Sequence, residues 1–217
     1  MTDLAKHIEQ TLLKQDASKD DFNQLFEQAK KHHFLGVCIP PYYVPAAKQY
    51  LSDTATKIIT VIGFPLGYNK PAVKAFEAVQ AIQDGADEID MVLNVSAFKS
   101  KAWDFVLEDI ETVKKACGHT PLKVIIETDL LTKNEIEQAC LLCIEAKADF
   151  VKTSTGFVKN GIGAKSEDVA VISKIVTPYG IKVKASGGIK TKQQALQMIN
   201  AGAERIGTSA GVQIIED

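Results

Sequence analysis

The sequence predicts an α/β protein in which eight parallel strands close into a (β/α)8 barrel. Short β-branched runs alternate with amphipathic segments along the chain, a helical pattern separates nearly every pair of runs, and polar side chains interrupt otherwise buried strands. Alternating βα units imply a parallel sheet, either closed as a barrel or open and doubly wound. No change in composition divides the chain, which favours closure and one domain over residues 1–217.

Seven strands are clear from their β-branched composition, and a shorter one precedes them. The helices between them are marked by their ends. Ser18 precedes an apolar stripe with helical spacing, and capping boxes begin at Thr132 and Thr191. Glycines follow several helices, as is typical of helix ends. The predicted strands are Ile8–Leu12, Gly36–Ile39, Lys57–Gly63, Glu88–Leu93, Leu122–Thr128, Asp149–Ser154, Ile181–Ser186 and Glu204–Thr208, and the glycines are Gly85, Gly118 and Gly202.

Charge and hydropathy exclude several classes of partner. The 25 Lys and Arg residues against 27 Asp and Glu residues give a net charge of −2, which offers no electrostatic basis for binding nucleic acid or a membrane surface. No apolar run is long enough to cross a bilayer, and the N-terminus lacks the character of a signal peptide. We therefore expect no nucleic acid, no membrane and a cytoplasmic location.

The cysteines favour packing over redox or metal chemistry. Cys140 and Cys143 form a C-x-x-C sequence, but they fall on the apolar stripe of a predicted helix, and no second Cys/His pair has the spacing of a zinc site. Cys38 ends a strand and could face the pocket, where a catalytic thiol is the minor alternative. We expect no metal.

Two lysines lie at inward-pointing positions of predicted strands. Lys152 follows Val151, and Lys184 stands between Val183 and Ala185. Side chains alternate between the faces of a strand, and strands buried on both faces are normally apolar runs, so these lysines must be paired or functional. Catalytic groups of a barrel emerge from strand ends at its C-terminal face.

The two lysines suggest amine chemistry. Like charges about 4 Å apart repel by roughly 4 kcal/mol at an effective dielectric constant of about 20. That repulsion corresponds to about three pKa units, enough to bring one lysine toward neutrality near pH 7. A neutral amine can attack a carbonyl carbon and form a Schiff base. The alternative is a structural network in which a carboxylate pairs with a lysine.

Two carboxylates share the interior by the same alternation. Asp90 could stabilise an iminium, orient an amine or move protons, or it could serve only as a counter-ion. Glu127 could equally pair with a lysine or take part in catalysis. Glycine-bearing turns follow the last two strands, at Ser186–Ile189 and Gly207–Gly211, where barrels often bind phosphate. Residues 153–156 add hydroxyl groups beyond Lys152.

The chain resembles the deoxyribose-phosphate aldolases nearly end to end. The resemblance rests on motifs that include the lysines and glycines described above. They are Val61–Gly67, Asp87–Asn94, Lys123–Thr128, Phe150–Phe157, Val183–Ile189 and Arg205–Ser209. The resemblance implies a (β/α)8 barrel that acts as a class I aldolase without metal or cofactor. Its partners would be small molecules, with 2-deoxy-D-ribose 5-phosphate converted reversibly to D-glyceraldehyde 3-phosphate and acetaldehyde in deoxyribonucleoside breakdown, and the family is commonly homodimeric.

The resemblance also implies residue roles. Lys152 matches the Schiff-base lysine, Lys184 the lysine that lowers its pKa, and Asp90 a carboxylate that transfers protons through a water. The residues expected to bind substrate and its phosphate are Thr155, Gly156, Gly187, Gly188, Gly207 and Ser209.

The chain departs from the family pattern at three positions, and two other functions therefore stay open. Glu9 and Gln10 replace a common Asp-His pair, and Pro40 stands where asparagine is frequent. These changes leave open a phosphate-binding barrel without catalysis. A related barrel lyase or transaldolase-like enzyme that acts on another sugar phosphate is the third possibility.

Overall fold

Eight parallel strands form a closed barrel in which each strand pairs with its neighbours in chain order and β8 returns to β1. The structure, a computed structural model, describes residues 3–216. The predicted (β/α)8 fold is confirmed. The strands are β1 (Ile8–Thr11), β2 (Gly36–Ile39), β3 (Lys57–Ile62), β4 (Glu88–Val92), β5 (Leu122–Ile125), β6 (Phe150–Lys152), β7 (Lys182–Ser186) and β8 (Arg205–Thr208).

Helices surround the barrel and begin where the sequence indicates. Ser18, Thr132 and Thr191 each form a capping box. Gly118 caps a helix with a positive φ of 56°. The helices are α1 (Lys19–Lys31), α2 (Val44–Tyr50), α3 (Pro71–Gln83), α4 (Val95–Lys99), α5 (Trp103–Cys117), α6 (Lys133–Glu145), α7 (Ser166–Val176), α8 (Lys192–Asn200) and α9 (Gly211–Glu216), with single 3-10 turns at Leu4–His7, Pro41–Tyr43, Thr128–Leu130 and Thr177–Tyr179.

The strand bounds differ from the prediction mainly at β5 and β6, which are shorter than expected. Glu127 has a left-handed backbone with φ 61°, and this conformation ends the extended run of β5 before Thr128. Asp149 lies outside β6, where its carboxylate accepts a hydrogen bond from the backbone N–H of Leu122 at 2.7 Å. The chain therefore turns earlier than its β-branched composition suggests.

The two faces of the sheet have different chemistry. Ile89, Met91 and Leu93 face the helices and belong to the large apolar core between sheet and helices. The interior of the barrel instead holds buried charged side chains on one side and a small apolar group of Cys38, Ile59 and Val61 on the other. The alternation assigned from the sequence is therefore confirmed.

The cysteines are free and buried, as the packing interpretation expects. Burial raises the pKa of Cys140 to about 12, and it also raises the pKa of Cys38. Among residues 3–216, no three side chains of His, Cys, Asp or Glu are grouped so that they could hold a metal ion. None of the helices in that part of the chain is both long and apolar enough to span a bilayer.

A fully buried ion pair joins α3 to α5 outside the barrel. The Nζ of Lys74 lies 2.6 Å from Oδ2 of Asp109 and donates to the carbonyl of Val92 at 2.9 Å. Burial lowers the pKa of Lys74 and raises that of Asp109, so both groups are displaced toward their uncharged forms. Removing one partner of such a pair leaves the other buried without compensation.

We expect Lys74→Met to lower the free energy of unfolding by about 3–5 kcal/mol, because the carboxyl group of Asp109 loses its buried partner. The double variant Lys74→Met/Asp109→Leu should recover most of that loss, since it leaves no charged group without its partner, although the carbonyl of Val92 loses its donor. Urea unfolding of the parent, the single and the double variant measures both values. A loss below about 1 kcal/mol in the single variant, the size expected for exposed pairs, would contradict the account.

Candidate active site

A cavity of about 310 Å³ opens at the C-terminal face of the barrel. Lys152 lines its base, and the loops after β1, β6, β7 and β8 form its walls. A larger cavity of about 630 Å³ lies at the opposite, N-terminal face, away from the nucleophile candidate. The predicted substrate-contacting residues all line the smaller cavity, and they are Thr155, Gly156, Gly187, Gly188, Gly207 and Ser209.

Asp90 brings the two predicted lysines together. Lys152 and Lys184 are register partners on β6 and β7, so they extend side by side into the barrel. Both Nζ atoms lie 2.7 Å from the same carboxylate oxygen, Oδ2 of Asp90. The sequence predicted two lysine amines close together with Asp90 beside them, and in the structure one carboxylate oxygen of Asp90 contacts both amines.

A third interior lysine, Lys123, is one that our sequence reasoning missed. Its Nζ lies 2.9 Å from Oδ1 of Asp90 and 2.6 Å from Oε2 of Glu88. The alternation that turned Glu127 inward also applied to Lys123, four residues earlier in the same run. That signal could have identified it.

Glu9 takes part in the same network. Its carboxylate contacts the ammonium of Lys184, and its Oε1 lies 3.7 Å from Nζ of Lys123 and 3.9 Å from Nε of Arg205. The longer arm of glutamate therefore keeps the carboxylate inside the barrel. Gln10 points to the other face of β1, where it accepts a hydrogen bond from the N–H of Gly211 at 2.9 Å.

The charges of the network stabilise one another. Burial alone would raise the pKa of Asp90, but the ammonium groups of Lys123, Lys152 and Lys184 hold it well below its usual range. Burial would likewise lower the pKa of Lys184, and the carboxylates of Asp90 and Glu9 raise it instead. The pKa of Lys123 is also raised, since Asp90 and Glu9 outweigh its burial. Asp90 thus stays a carboxylate, and Lys123 and Lys184 stay ammonium groups.

Lys152 differs from the other two lysines in its exposure and its partners. Its side chain is 4% exposed at the cavity, whereas those of Lys123 and Lys184 are fully buried. Lys184 pairs with both Asp90 and Glu9, whereas the ion pair of Lys152 within residues 3–216 is with Asp90 alone. Lys152 is therefore the lysine of this group with the fewest charged partners, and it is the one that lines the cavity.

Glu127 pairs with a threonine where the sequence suggested a lysine. Its carboxylate accepts hydrogen bonds from the hydroxyl of Thr155 and from the Thr155 backbone N–H, the latter at 3.1 Å. Burial raises the pKa of Glu127. The donor groups of Thr155 are therefore already engaged, although the residue lines the cavity.

The glycine-bearing turns present backbone N–H groups at the other end of the cavity. Within residues 3–216, the N–H groups of Gly187, Gly188 and Ser209 have no hydrogen-bond acceptor. A Cβ at Gly188 would lie 2.3 Å from the carbonyl oxygen of Ile162, so close approach of the two loops requires glycine there. Lys14 and Lys190 also line this cavity, and they add positive charge that the sequence reasoning did not assign.

An apolar cavity of about 430 Å³ adjoins the site and shares Leu13, Lys14 and Phe157 with it. Pro40 lines this cavity, so the third departure from the family pattern falls beside the site and not at the lysines. The rings of Phe64 and Phe157 meet edge to face, with their centroids 5.1 Å apart. Cys38 lies in the apolar group below Phe64.

Known proteins share this architecture and sequence. Residues 5–216 match the model of the family described as DeoC/LacD family aldolase. A deoxyribose-phosphate aldolase of Actinobacillus succinogenes is 53% identical over 214 residues, which cover 99% of this chain and 94% of that protein.

Solved structures agree. The structure named QR15, an aldolase, superposes with a TM-score of 0.94 at 44% identity and covers 100% of this chain and 96% of that one. The tetrameric deoxyribose phosphate aldolase from Aeropyrum pernix gives a TM-score of 0.88 at 31% identity, over 98% and 89% of the two chains. The chain belongs to the DeoC/LacD family of aldolases.

Proposed function

We propose that this chain is a class I aldolase that reversibly cleaves 2-deoxy-D-ribose 5-phosphate to D-glyceraldehyde 3-phosphate and acetaldehyde, in the breakdown of deoxyribonucleosides. One observation carries the proposal. Lys152 is the lysine of a network of buried charges that lines the base of a cavity, and the other end of that cavity offers backbone N–H groups without an acceptor among residues 3–216. The names of the relatives, which are about 50% identical over nearly the whole chain, support the same substrate.

Lys152 acts as the nucleophile. Its uncharged amine attacks C1 of the open-chain sugar, and loss of water from the carbinolamine gives an iminium ion. The hydroxyl at C3 then loses its proton, and the C2–C3 bond breaks. The electron pair of that bond moves into the iminium, which leaves an enamine on Lys152 and releases glyceraldehyde 3-phosphate. Protonation of the enamine at C2 and hydrolysis return acetaldehyde and the free amine.

Asp90 and Lys184 serve the proton transfers. Asp90 accepts a hydrogen bond from the Nζ of Lys152, so its carboxylate can orient a water that carries protons to and from that nitrogen during dehydration. Lys184 contributes a fixed positive charge beside Lys152. That charge repels a second ammonium group and favours the uncharged amine.

The glycine-bearing turns hold the phosphate. The N–H groups of Gly187, Gly188 and Ser209 are suited to an anion, and Lys190 supplies charge at the rim. We assign Gly156 and Gly207 to the walls of the same pocket. Thr155 also belongs to the wall, where its hydroxyl is held by the carboxylate of Glu127. Binding at the phosphate, remote from the bond that breaks, positions the sugar over Lys152.

We also propose that the chain acts as a homodimer in the cytoplasm. Exposed apolar side chains follow one another from the loop after β3 into α3, at Leu66, Tyr68, Val73 and Phe76, and such patches commonly mark contacts between subunits. The four cysteines are free thiols, as is usual in a reducing compartment. Sedimentation of the purified chain distinguishes a dimer from a monomer or a tetramer.

A barrel that binds a phosphorylated sugar without catalysis is the second candidate, and it is separated from an aldolase by covalent trapping. Treatment with acetaldehyde and borohydride should add the mass of one reduced two-carbon unit to the parent, located on Lys152. Lys152→Ala should lose both the adduct and aldol cleavage, because the amine of Lys152 is the one that contacts Asp90 at the cavity base. Lys159→Ala, which removes an exposed lysine of the same loop, should keep the adduct. Cleavage at the parental rate in Lys152→Ala would contradict the assignment.

Lys184→Leu should move the acidic limb of the pH–rate profile to higher pH. Without the neighbouring positive charge, the ammonium form of Lys152 is favoured, so the uncharged amine appears only in more alkaline solution. The matched control is Lys182→Leu, two residues earlier on β7, whose ammonium pairs with Glu204 at the surface and should leave the profile unchanged. Identical profiles for the parent and Lys184→Leu would refute the role of Lys184.

Lys190→Ala should lower kcat/KM for deoxyribose 5-phosphate by about tenfold, which corresponds to ~1.4 kcal/mol of lost interaction with the phosphate. Cleavage of unphosphorylated deoxyribose should be unaffected, because that substrate has no phosphate for the lysine to contact. Lys192→Ala, at the start of α8, serves as the control. Equal losses of kcat/KM for both substrates would show that Lys190 does not contact the phosphate.

A further inference from the structure

Lys123 occupies the centre of the buried network but does not reach the substrate cavity. We propose that Lys123 is a positioning residue of the aldolase: it holds Oδ1 of Asp90, so that Oδ2 remains directed at both Lys152 and Lys184. The inference rests on the function proposed above, since it assigns how Asp90 is held in place to serve Lys152.

The two carboxylate oxygens of Asp90 contact different lysines. Oδ1 lies 2.9 Å from Nζ of Lys123, whereas Oδ2 lies 2.7 Å from each of the other two lysines. Within residues 3–216, the side-chain hydrogen bond to Oδ1 comes from Lys123. A carboxylate can rotate about its Cβ–Cγ bond, and a buried one must keep both oxygens paired. Lys123 therefore fixes the orientation in which one oxygen serves two amines.

The position of Lys123 is itself fixed from the opposite side. Its Nζ lies 2.6 Å from Oε2 of Glu88, and the other oxygen of Glu88 pairs with Lys57 at 2.5 Å at the N-terminal face. The ring of Phe150 lies under the ammonium, with 5.5 Å from Nζ to its centroid. A chain of ion pairs thus runs from the N-terminal face through Lys123 to the nucleophile.

Charge balance explains how this series of ion pairs affects the reaction. When Lys152 is uncharged, Asp90 keeps two ammonium partners, Lys123 and Lys184. Without Lys123, the buried carboxylate would retain only Lys184, and it would hold Lys152 in its charged form to compensate. Loss of Lys123 should therefore impair formation of the iminium ion while leaving the substrate pocket intact.

The test compares Lys123→Met with the double variant Lys123→Met/Glu88→Gln, which also neutralises the Glu88 carboxylate that loses its buried partner in the single variant. The readouts are kcat, KM, the pH dependence of borohydride trapping on Lys152, and urea unfolding. Lys74→Met is the matched control, because it removes a fully buried lysine whose carboxylate partner, Asp109, does not contact Asp90.

We expect both Lys123 variants to lose about tenfold to a hundredfold in kcat, with KM within about twofold of the parent. The acidic limb of the pH profile for borohydride trapping should move to higher pH by about one unit, which corresponds to a tenfold change in the uncharged fraction of Lys152. The double variant should regain part of the stability lost by Lys123→Met, because Glu88 no longer carries an uncompensated charge, but it should keep the altered pH profile. Lys74→Met should lose stability and keep the parental profile.

Two results would overturn the inference. A parental pH profile in the double variant would make Lys123 a counter-ion of structural importance only. A change confined to KM would show that Lys123 affects substrate binding and not the reaction of Lys152. Absence of any adduct in the parent protein would instead refute the Schiff-base mechanism itself, so the two failures are distinguishable.

Discussion

One carboxylate, that of Asp90, organises the interior of this barrel. It accepts hydrogen bonds from three lysines inside a closed sheet, two of them at the same oxygen. A single buried ion pair is weakly favourable at best, because desolvation offsets the attraction. Here the cost is offset by several charges of both signs, with Glu9 and Glu88 completing the set. The chemistry of Lys152 depends on this arrangement, since Asp90 contacts its amine and the same carboxylate is shared with Lys123 and Lys184.

The closed barrel makes such a network possible. Neighbouring parallel strands bring Lys152 and Lys184 into register, and the sheet excludes water from the carboxylate that they share. Space for the long side chains comes from a glycine. A Cβ at Gly207 would lie 3.1 Å from Cε of Lys184 and 2.9 Å from Cβ of Ser186. Gly207 therefore has two roles. It leaves space for the side chain of Lys184 in the network, and it forms part of the cavity wall.

The sequence predicted the fold and three members of the network, and the members it missed have a physical explanation. Alternation along a strand assigns a side chain to a face, and this identified Lys152, Lys184 and Asp90. Alternation does not give the depth of a side chain or its partners, which come from strands far apart in the chain. Lys123 was therefore missed, and Glu127 was given a lysine as a possible partner. The left-handed backbone of Glu127, which turns the carboxylate toward Thr155, has no signal in residue type.

Lys123 and Lys184 should keep their protons throughout the pH range in which Lys152 reacts with an aldehyde. This expectation is tested most directly by NMR of the protein labelled at its lysine side chains, with resonances assigned by Lys→Arg variants and followed as the pH is raised. We expect the nitrogens of Lys123 and Lys184 to remain ammonium groups across the pH range in which borohydride traps an aldehyde on Lys152. Loss of the proton from Lys123 or Lys184 within that range would show that the shared carboxylate does not hold their charges.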